Sequence, residues 1–209
     1  MRQPQHTKSP SPHHHIPTNV WRVFCAIELP QTLRKRVVQH IASLKEALPA
    51  AHASWIRDAN LHLTLKFLGE VSQTSVQNFS SAASRAAERF APFPILLNQT
   101  GVFPMHGSPR VLWIGITDLE GKLGDLHSHL EVESAQAGLD KEDRLFNPHL
   151  TIARLRKPQH ARALASAHRQ LPFEEGQITV SELLVIRSEL SSEGSKYAVI
   201  SRHPLGVSG

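Results

Sequence analysis

Cysteine, tyrosine and long apolar runs are scarce in this sequence of 209 residues, which contains one cysteine and one tyrosine. A single thiol, Cys25, cannot form a disulfide within the chain. Its position in the apolar run 23–27 predicts that it packs as a small hydrophobic side chain. No apolar run approaches the ~18 residues that a membrane-spanning helix needs. Together these absences are typical of a protein of the reducing cytoplasm that has no membrane span.

The N-terminal segment has almost no side chain that a core could bury. It is rich in Pro, Ser, His and Gln, and it has no apolar region of the kind found in a secretory signal. We therefore expect a disordered tail over 1–19, a folded part over 20–205 and a short C-terminal tail over 206–209. The three consecutive histidines at 13–15 are interpreted as low-complexity tail rather than as a metal site.

Positive charge is in excess. The chain has 23 Lys and Arg against 18 Asp and Glu, a formal net charge of +5. Excess basic charge favours a polyanionic partner, and on charge alone it favours nucleic acid over a neutral metabolite. The hydrophobic content of 40% is that of an ordinary globular protein, so the chain can bury the core of one domain or of two small lobes.

Apolar periodicity predicts a mixture of strands and helices. Strands are expected over 21–29, around 55, and over 61–68, 94–103, 111–116, 148–155, 177–187 and 197–202; helices are expected over 30–48, 74–90, 119–137 and 159–170. In the third helix, Leu119 is placed among the residues that face inward. Several strands follow one another across short loops, which indicates antiparallel pairing and an α+β fold.

One four-residue phrase occurs twice, as HLTL at 62–65 and as HLTI at 149–152. Successive side chains of a strand point to opposite faces, so the His and the Thr of each phrase share a face and the aliphatic residues share the other. Each strand can thus pack its aliphatic face on a core and present His and Thr to a cleft between two similar lobes. On the same alternation, Lys66 is expected to share the face of His62.

Two imidazoles facing one cleft can act as a general acid–base pair, because a histidine near its ordinary pKa of ~6.5 exchanges protons at neutral pH. Threonine hydroxyls can donate hydrogen bonds to the non-bridging oxygens of a phosphoryl group. A single histidine on a strand is as often structural, but two copies with the same spacing and fillers favour a site that cleaves a phosphodiester without a metal ion. Neither threonine has a triad-like neighbour that would make it a nucleophile.

The sequence resembles the RNA 2′,3′-cyclic phosphodiesterase family, also called the 2′-5′ RNA ligase family, of the two-histidine phosphoesterase superfamily. The resemblance covers about residues 20–205. The stretches that carry it are RVFCAIELP (22–30), HLTLKFLGEV (62–71), GVFP (101–104), PRVLWIGI (109–116), RLFNPHLTIARLR (144–156) and SEL…GSKYAVI (188–200).

The resemblance implies a bilobal fold with pseudo-two-fold symmetry, in which two antiparallel sheets flanked by helices surround a central cleft. It implies hydrolysis of RNA 2′,3′-cyclic ends to 2′-phosphomonoesters without a cofactor, by a cytoplasmic monomer whose partners are RNA ends such as those of tRNA fragments. His62 matches the proton donor, His149 the proton acceptor, and Thr64 and Thr151 the phosphate-contacting hydroxyls.

Three further residues are candidate substrate contacts. Arg154 would face away from His149 on an ideal strand, so a phosphate role for it requires a strand end or a twist. Lys66 is a candidate for neutralising phosphate, and the alternative is an ordinary surface lysine. Phe146 is a candidate for stacking on a nucleobase, and the alternative is an aromatic residue of the core. The pair His127 and His129 lies in a predicted helix, where residues two apart do not face each other, so we assign no zinc site.

Two other functions remain open on the sequence. The same site could act on a small cyclic phosphate such as ADP-ribose 1″,2″-cyclic phosphate. Alternatively, the cleft could bind RNA ends without turnover, although a pure binding module would favour the fixed charges of Arg or Lys over imidazoles that titrate.

Overall fold

The computed structural model describes residues 20–142, 144–157, 159–192 and 194–206, in which two antiparallel sheets are accompanied by helices. The elements in chain order are β1 (Val20–Glu28), α1 (Gln31–Ala47), β2 (Ser54–Trp55), β3 (His62–Ser72), α2 (Gln73–Ala87), β4 (Phe93–Phe103), β5 (Val111–Thr117), α3 (Lys122–Gln136), β6 (His149–Arg154), α4 (Ala161–Gln170), β7 (Gly176–Val180), β8 (Glu182–Ser191) and β9 (Gly194–Pro204). The predicted N-terminal tail 1–19 lies outside the described residues, as do residues 207–209 of the predicted C-terminal tail 206–209.

The strands form a four-stranded sheet in the order β3-β1-β8-β9, here called sheet A, and a five-stranded sheet in the order β2-β6-β5-β4-β7, here called sheet B. Every neighbouring pair is antiparallel. Helices α2 and α3 pack together against sheet A, whereas α4 packs on sheet B and α1 packs on α4. The expected α+β class is confirmed.

The two histidine strands carry the expected aliphatic residues into a shared core. Leu63 on β3 and Leu150 and Ile152 on β6 are fully buried, and Leu65 is nearly so. They belong to one hydrophobic cluster that draws residues from both sheets, so the lobes are not separate domains. Cys25 is fully buried in the same cluster, which confirms its expected role as a small hydrophobic side chain.

Two details of the predicted elements are wrong. The stretch 177–187 forms two strands in different sheets, because the chain crosses from sheet B to sheet A at Ser181, and a continuous apolar pattern does not reveal such a crossing. Leu119 is 77% exposed rather than inward. It precedes α3, whose first turn is held by the Asp118 carboxylate accepting hydrogen bonds from the backbone N–H groups of Leu123 and Gly124.

Sheet A is strongly curled. Irregular pairing between Val23 and Phe24, between Cys25 and Ala26, and in β8 adds local twist. The curl brings the beginning of β9 against the beginning of β3, although these are the two outer strands of the sheet. A hydrogen bond closes the curl, with the Asn60 amide donating to the backbone carbonyl of Ser195 at 2.8 Å.

Candidate active site

Each histidine strand contains a bulge at the same place in its repeated phrase. On β3, Thr64 pairs with Ala26 and Lys66 pairs with Cys25, so Leu65 has no partner on β1. On β6, Thr151 and Ala153 pair with consecutive residues of β5, so Ile152 is likewise skipped. An extra residue in a strand reverses the alternation of faces beyond it.

The reversal decides which residues after the threonine reach the cleft. Lys66 and Ala153 turn to the buried face, whereas Phe67 and Arg154 emerge exposed on the face of the histidines. On an ideal strand Arg154 would face away from His149, and the bulge at Ile152 turns it to the same face. Phe67, 52% exposed, was missed because the plain alternation places it on the core face.

The expectation that Lys66 shares the face of His62 is wrong. Its side chain is 2% exposed, and its ammonium group donates hydrogen bonds to both carboxylate oxygens of Glu131 and to the backbone carbonyl of Asp140, each at 2.8 Å. All three donors of the ammonium group are therefore engaged within the fold.

The two histidines make the same hydrogen bond. Nδ1 of His62 lies 2.7 Å from the carbonyl of Asn60, and Nδ1 of His149 lies 2.7 Å from the carbonyl of Asn147. Because a carbonyl only accepts, each Nδ1 carries the hydrogen, and each Nε2 is left to exchange a proton with a ligand. In both copies an asparagine stands two residues before the histidine, a signal that is present in the sequence and was not used in predicting the site.

Aromatic rings support both imidazoles. His62 stacks on Phe24 with centroids 4.6 Å apart and meets the edge of Tyr197 at 5.2 Å. His149 makes an edge contact with Phe103 at 5.0 Å and a looser one with Trp113 at 6.5 Å. The neighbours that hold these rings are thus aromatic side chains and backbone carbonyls.

Burial lowers the pKa of His62 to about 4, and the hydrogen bond to the Asn60 carbonyl only partly opposes this. Burial also lowers the pKa of His149; there the Asn147 carbonyl opposes the shift and the positive charge of Arg154 adds to it. In the free protein, both imidazoles are therefore biased towards the neutral form.

Tyr197 links the two halves of the site. Its ring, on sheet A, contacts His62. Burial raises the pKa of its phenol, and the positive charges of Arg154 and Arg22 act in the opposite direction. Since Arg154, on sheet B, also acts on His149, the two histidines belong to one cleft, and β3 and β6 are themselves in contact.

Thr64 and Thr151 are half-buried on the faces of the two histidines. Neither hydroxyl has a hydrogen-bond partner among the residues that the structure describes, so both are available to a ligand. Phe146 is placed differently, because its ring stacks on His127 at 3.9 Å and packs against the main core. This placement favours the core alternative for Phe146.

His127 and His129 turn to different partners, Phe146 and Phe90. Within the described ranges, no group of three or more His, Cys, Asp or Glu residues is positioned to hold a metal ion, and no helix is long and apolar enough to cross a membrane.

Comparison with known proteins finds similar sequences over most of the chain. The 2′-5′ RNA ligase superfamily matches residues 29–191. The RNA 2′,3′-cyclic phosphodiesterase of Methanothermobacter thermautotrophicus is 32% identical over 179 residues, which are 84% of this chain and 94% of that protein. The enzyme of the same name from Thermus thermophilus is 30% identical and covers 88% of this chain and 90% of its own length.

Solved structures show the same fold. A Thermus thermophilus protein has a TM-score of 0.72 with 27% identity, over 90% of this chain and 100% of its own. E. coli LigT in its apo form has a TM-score of 0.71 with 28% identity, over 91% of this chain and 100% of its own. LigT was also solved in complex with 3′-AMP, in a structure that matches this chain with a TM-score of 0.68.

Proposed function

This chain belongs to the 2′-5′ RNA ligase superfamily, and we propose that it works as an RNA 2′,3′-cyclic phosphodiesterase by a two-histidine mechanism that needs no metal ion. Water attacks the phosphorus of the cyclic end, the bond to the 3′-oxygen breaks, and the product is a 2′-phosphomonoester with a free 3′-hydroxyl. The observation that carries the proposal is the pair of His-x-Thr half-sites with matching hydrogen bonds and bulges on either side of one cleft.

Each side chain has one part in the proposed reaction. His149 Nε2 takes a proton from the attacking water, and His62 Nε2, when protonated, gives one to the departing 3′-oxygen. The hydroxyls of Thr64 and Thr151 donate to the non-bridging oxygens, where negative charge grows in the transition state. Arg154 adds a fixed positive charge from the same face as His149.

The lowered pKa of His62 sets a condition on this mechanism. With a pKa of about 4, the free imidazole is neutral at pH 7 and cannot donate a proton from Nε2. A phosphate anion beside Nε2 favours the imidazolium form and so raises the pKa of the ring once substrate is bound. We therefore expect the bell-shaped pH profile of kcat to lie at higher pH than that of kcat/KM, which reports the free enzyme.

The test uses a short RNA with a 2′,3′-cyclic end, incubated with the enzyme in EDTA. We expect a 2′-phosphomonoester, identified by its migration against 2′- and 3′-phosphate standards. Activity that EDTA abolishes and Zn²⁺ or Mn²⁺ restores would contradict the metal-free mechanism. A 3′-phosphate product would contradict the assigned leaving group. Binding of the RNA without turnover would favour the alternative function, a module that binds RNA ends.

The same cleft supports a reverse reaction as a second part of the proposal. An RNA 5′-hydroxyl that replaced water would attack the cyclic phosphate and leave a 2′-5′ linkage, with His149 and His62 in the same roles. Water is present at ~55 M, so hydrolysis dominates unless the 5′-end is held in place. Incubation of aligned RNA halves should yield a small fraction of 2′-5′ junctions, and a 3′-5′ junction would contradict the mechanism.

A further inference from the structure

Two buried histidines outside the cleft form a hydrogen-bonded pair between helices α1 and α4. Nε2 of His40 lies 3.0 Å from Nδ1 of His168, and the two residues are 6% and 0% exposed. The ring of His40 also meets the edge of the Phe173 ring at 5.6 Å. The proposed reaction uses neither imidazole, and two leucines would fill such an interface without buried polar atoms that need partners. The pair therefore requires an explanation of its own.

The pair is connected to sheet B through a backbone carbonyl. Nε2 of His168 lies 2.9 Å from the carbonyl oxygen of Trp113 on β5. Because a carbonyl only accepts, Nε2 of His168 carries a hydrogen, and Nδ1 of the neutral ring accepts the hydrogen of His40 Nε2. His40 thus selects the tautomer of His168 that can hold the Trp113 carbonyl. Burial lowers the pKa of both imidazoles, which keeps them in the neutral form that this arrangement requires.

Trp113 occupies the position on β5 at which sheet B is irregular beside the site. It pairs with Thr151, and the bulge at Ile152 begins at this pair. Residues directly opposite in an antiparallel pair share a face, so the Trp113 side chain lies on the cleft side together with Thr151. His168 therefore holds, by its backbone, a residue whose side chain faces the cleft.

The Trp113 ring lies beside the second histidine of the site. Its centroid is 6.5 Å from that of His149 and 5.2 Å from that of Phe103, which itself contacts His149 at 5.0 Å. The ring also covers Gly101, where a methyl group would overlap it. The indole N–H has no hydrogen-bond partner within the described ranges, so packing and the backbone of Trp113 determine where the ring lies.

We propose that His168, oriented by His40, is a positioning residue for His149, acting through the backbone and the ring of Trp113. This inference rests on the proposed function and adds to it two residues that do not touch the substrate. Loss of the contact to the Trp113 carbonyl should let the ring move away from His149, and a displacement of ~1 Å at a catalytic group can lower the rate by ~10²-fold. A pair that only filled the helix interface would affect stability and leave the geometry of His149 unchanged.

The experiment compares His168→Leu with His168→Gln, because the Gln amide can donate to the Trp113 carbonyl and accept from His40 as the imidazole does. On a short RNA with a 2′,3′-cyclic end, His168→Leu should lower kcat by ~10–100-fold and change KM by no more than about threefold. His168→Gln should recover most of the lost kcat. Val37→Ala, which removes a buried side chain of α1 one turn from His40, is the matched control. It should lower the unfolding free energy in urea and leave kcat unchanged.

The pKa of His149, followed through its ring protons by NMR titration, supplies a readout that a loss of stability alone would not change. Burial lowers this pKa in the native protein, so it should rise in His168→Leu when the Trp113 ring moves away. It should stay at the native value in His168→Gln and in Val37→Ala.

A His168→Leu protein that loses stability but keeps the native kcat and the native pKa of His149 overturns the inference, as does a loss of kcat that His168→Gln does not reduce. If His168→Leu does not fold, His40→Leu takes its place, because it removes the group that orients His168 and keeps the ring that contacts Trp113. His40→Leu should still lower kcat and raise the pKa of His149, and native values of both overturn the inference. The titration needs no turnover, so a native protein that hydrolyses no cyclic end overturns the proposed function alone.

Discussion

The two half-sites carry the same phrase, the same bulge and the same histidine hydrogen bond, yet they are covered differently. In sheet A, the long strand β9 curls back over β3 and lays Tyr197 against His62. In sheet B, the corresponding outer strand β7 is short and pairs only with the first half of β4, so among the described residues it adds no ring over His149 beyond those of Phe103 and Trp113. The difference in cover accounts for the deeper burial of His62 and its pKa of about 4.

The half-sites also differ at the residue that the bulge turns into the cleft. Sheet A presents the exposed ring of Phe67, and sheet B presents the cation Arg154. A ring beside a phosphate site is suited to stacking on a nucleobase, and a cation is suited to the phosphate itself. The two lobes therefore share a backbone arrangement and present different side chains at equivalent positions.

The largest expected effect tests whether the two histidines are equally required. His62→Ala and His149→Ala should each lower kcat/KM by ~10²–10⁴-fold, the usual contribution of a general acid or base. Both proteins should remain folded in circular dichroism, and His52→Ala, on an exposed loop, serves as control. Near-native turnover in either variant would remove that histidine from the mechanism, and unfolding would identify it as structural.

The second prediction separates the residues on either side of the bulges. Lys66→Ala removes the ammonium partner of the mostly buried Glu131 and leaves it the backbone N–H of Glu142 and the nearby His127, and breaking such a pair typically costs about 3–5 kcal/mol of unfolding free energy. Arg154→Gln should leave stability unchanged and weaken substrate binding by roughly tenfold or more, because a charge-assisted contact is lost. Urea unfolding and KM measure the two effects. A stable Lys66→Ala protein with a raised KM would restore Lys66 to the site.

The third prediction compares the two asparagines. Asn60→Ala removes the hydrogen bond that ties the β8–β9 hairpin to the start of β3, whereas the Asn147 side chain has no hydrogen-bond partner in the described ranges. A single hydrogen bond contributes ~0.5–1.5 kcal/mol, so Asn60→Ala should lower kcat/KM by about tenfold or less, and Asn147→Ala should have a smaller effect.

Release of the hairpin should also raise the pKa of His62 towards its ordinary value, because Tyr197 then covers the ring less. The limb of the kcat/KM profile that belongs to His62 should move to higher pH in Asn60→Ala and stay in place in Asn147→Ala. Equal profiles in the two variants would show that the hairpin does not control His62.

The last prediction concerns stability in acid. The pKa of His62 is about 4 in the folded protein, below the ordinary ~6.5 of an unfolded chain, so the unfolded state binds more protons between these values. The unfolding free energy should therefore be highest above pH ~6.5 and fall as the pH drops towards 4. His40 contributes in the same direction, because burial and the neighbouring His168 lower its pKa to about 4.

Replacement of each active-site histidine by Gln, followed by urea unfolding between pH 7 and pH 4, isolates the part of this acid sensitivity that comes from the cleft. His62→Gln should flatten the pH dependence more than His149→Gln, because Tyr197 covers only His62. Equal flattening would contradict the structural difference between the half-sites.

Most elements, including the two strands that carry the repeated phrase, were predictable from local pattern. The amphipathic spacing of Leu33, Val37 and Ile41 marked α1, and all three are buried. The repeated His-x-Thr phrase picked out the strands that line the cleft. Lys66 and Phe67 were assigned to the wrong faces because the alternation rule counts residues along one strand, whereas a bulge is defined only by pairing with a neighbouring strand. Leu119 was assigned to the core because the inward face of a helix depends on which residues pack against it.

The sequence by itself determined that two strands carry a histidine and a threonine on one face and that the folded chain is α+β, and it predicted acid–base chemistry on a phosphate. Only the tertiary structure decided that Arg154 reaches the cleft while Lys66 is buried, and that Tyr197 lies on His62. Side chains that are far apart in the chain meet only after a sheet has curled. The curl depends on the register of several strands at once, which no local pattern records.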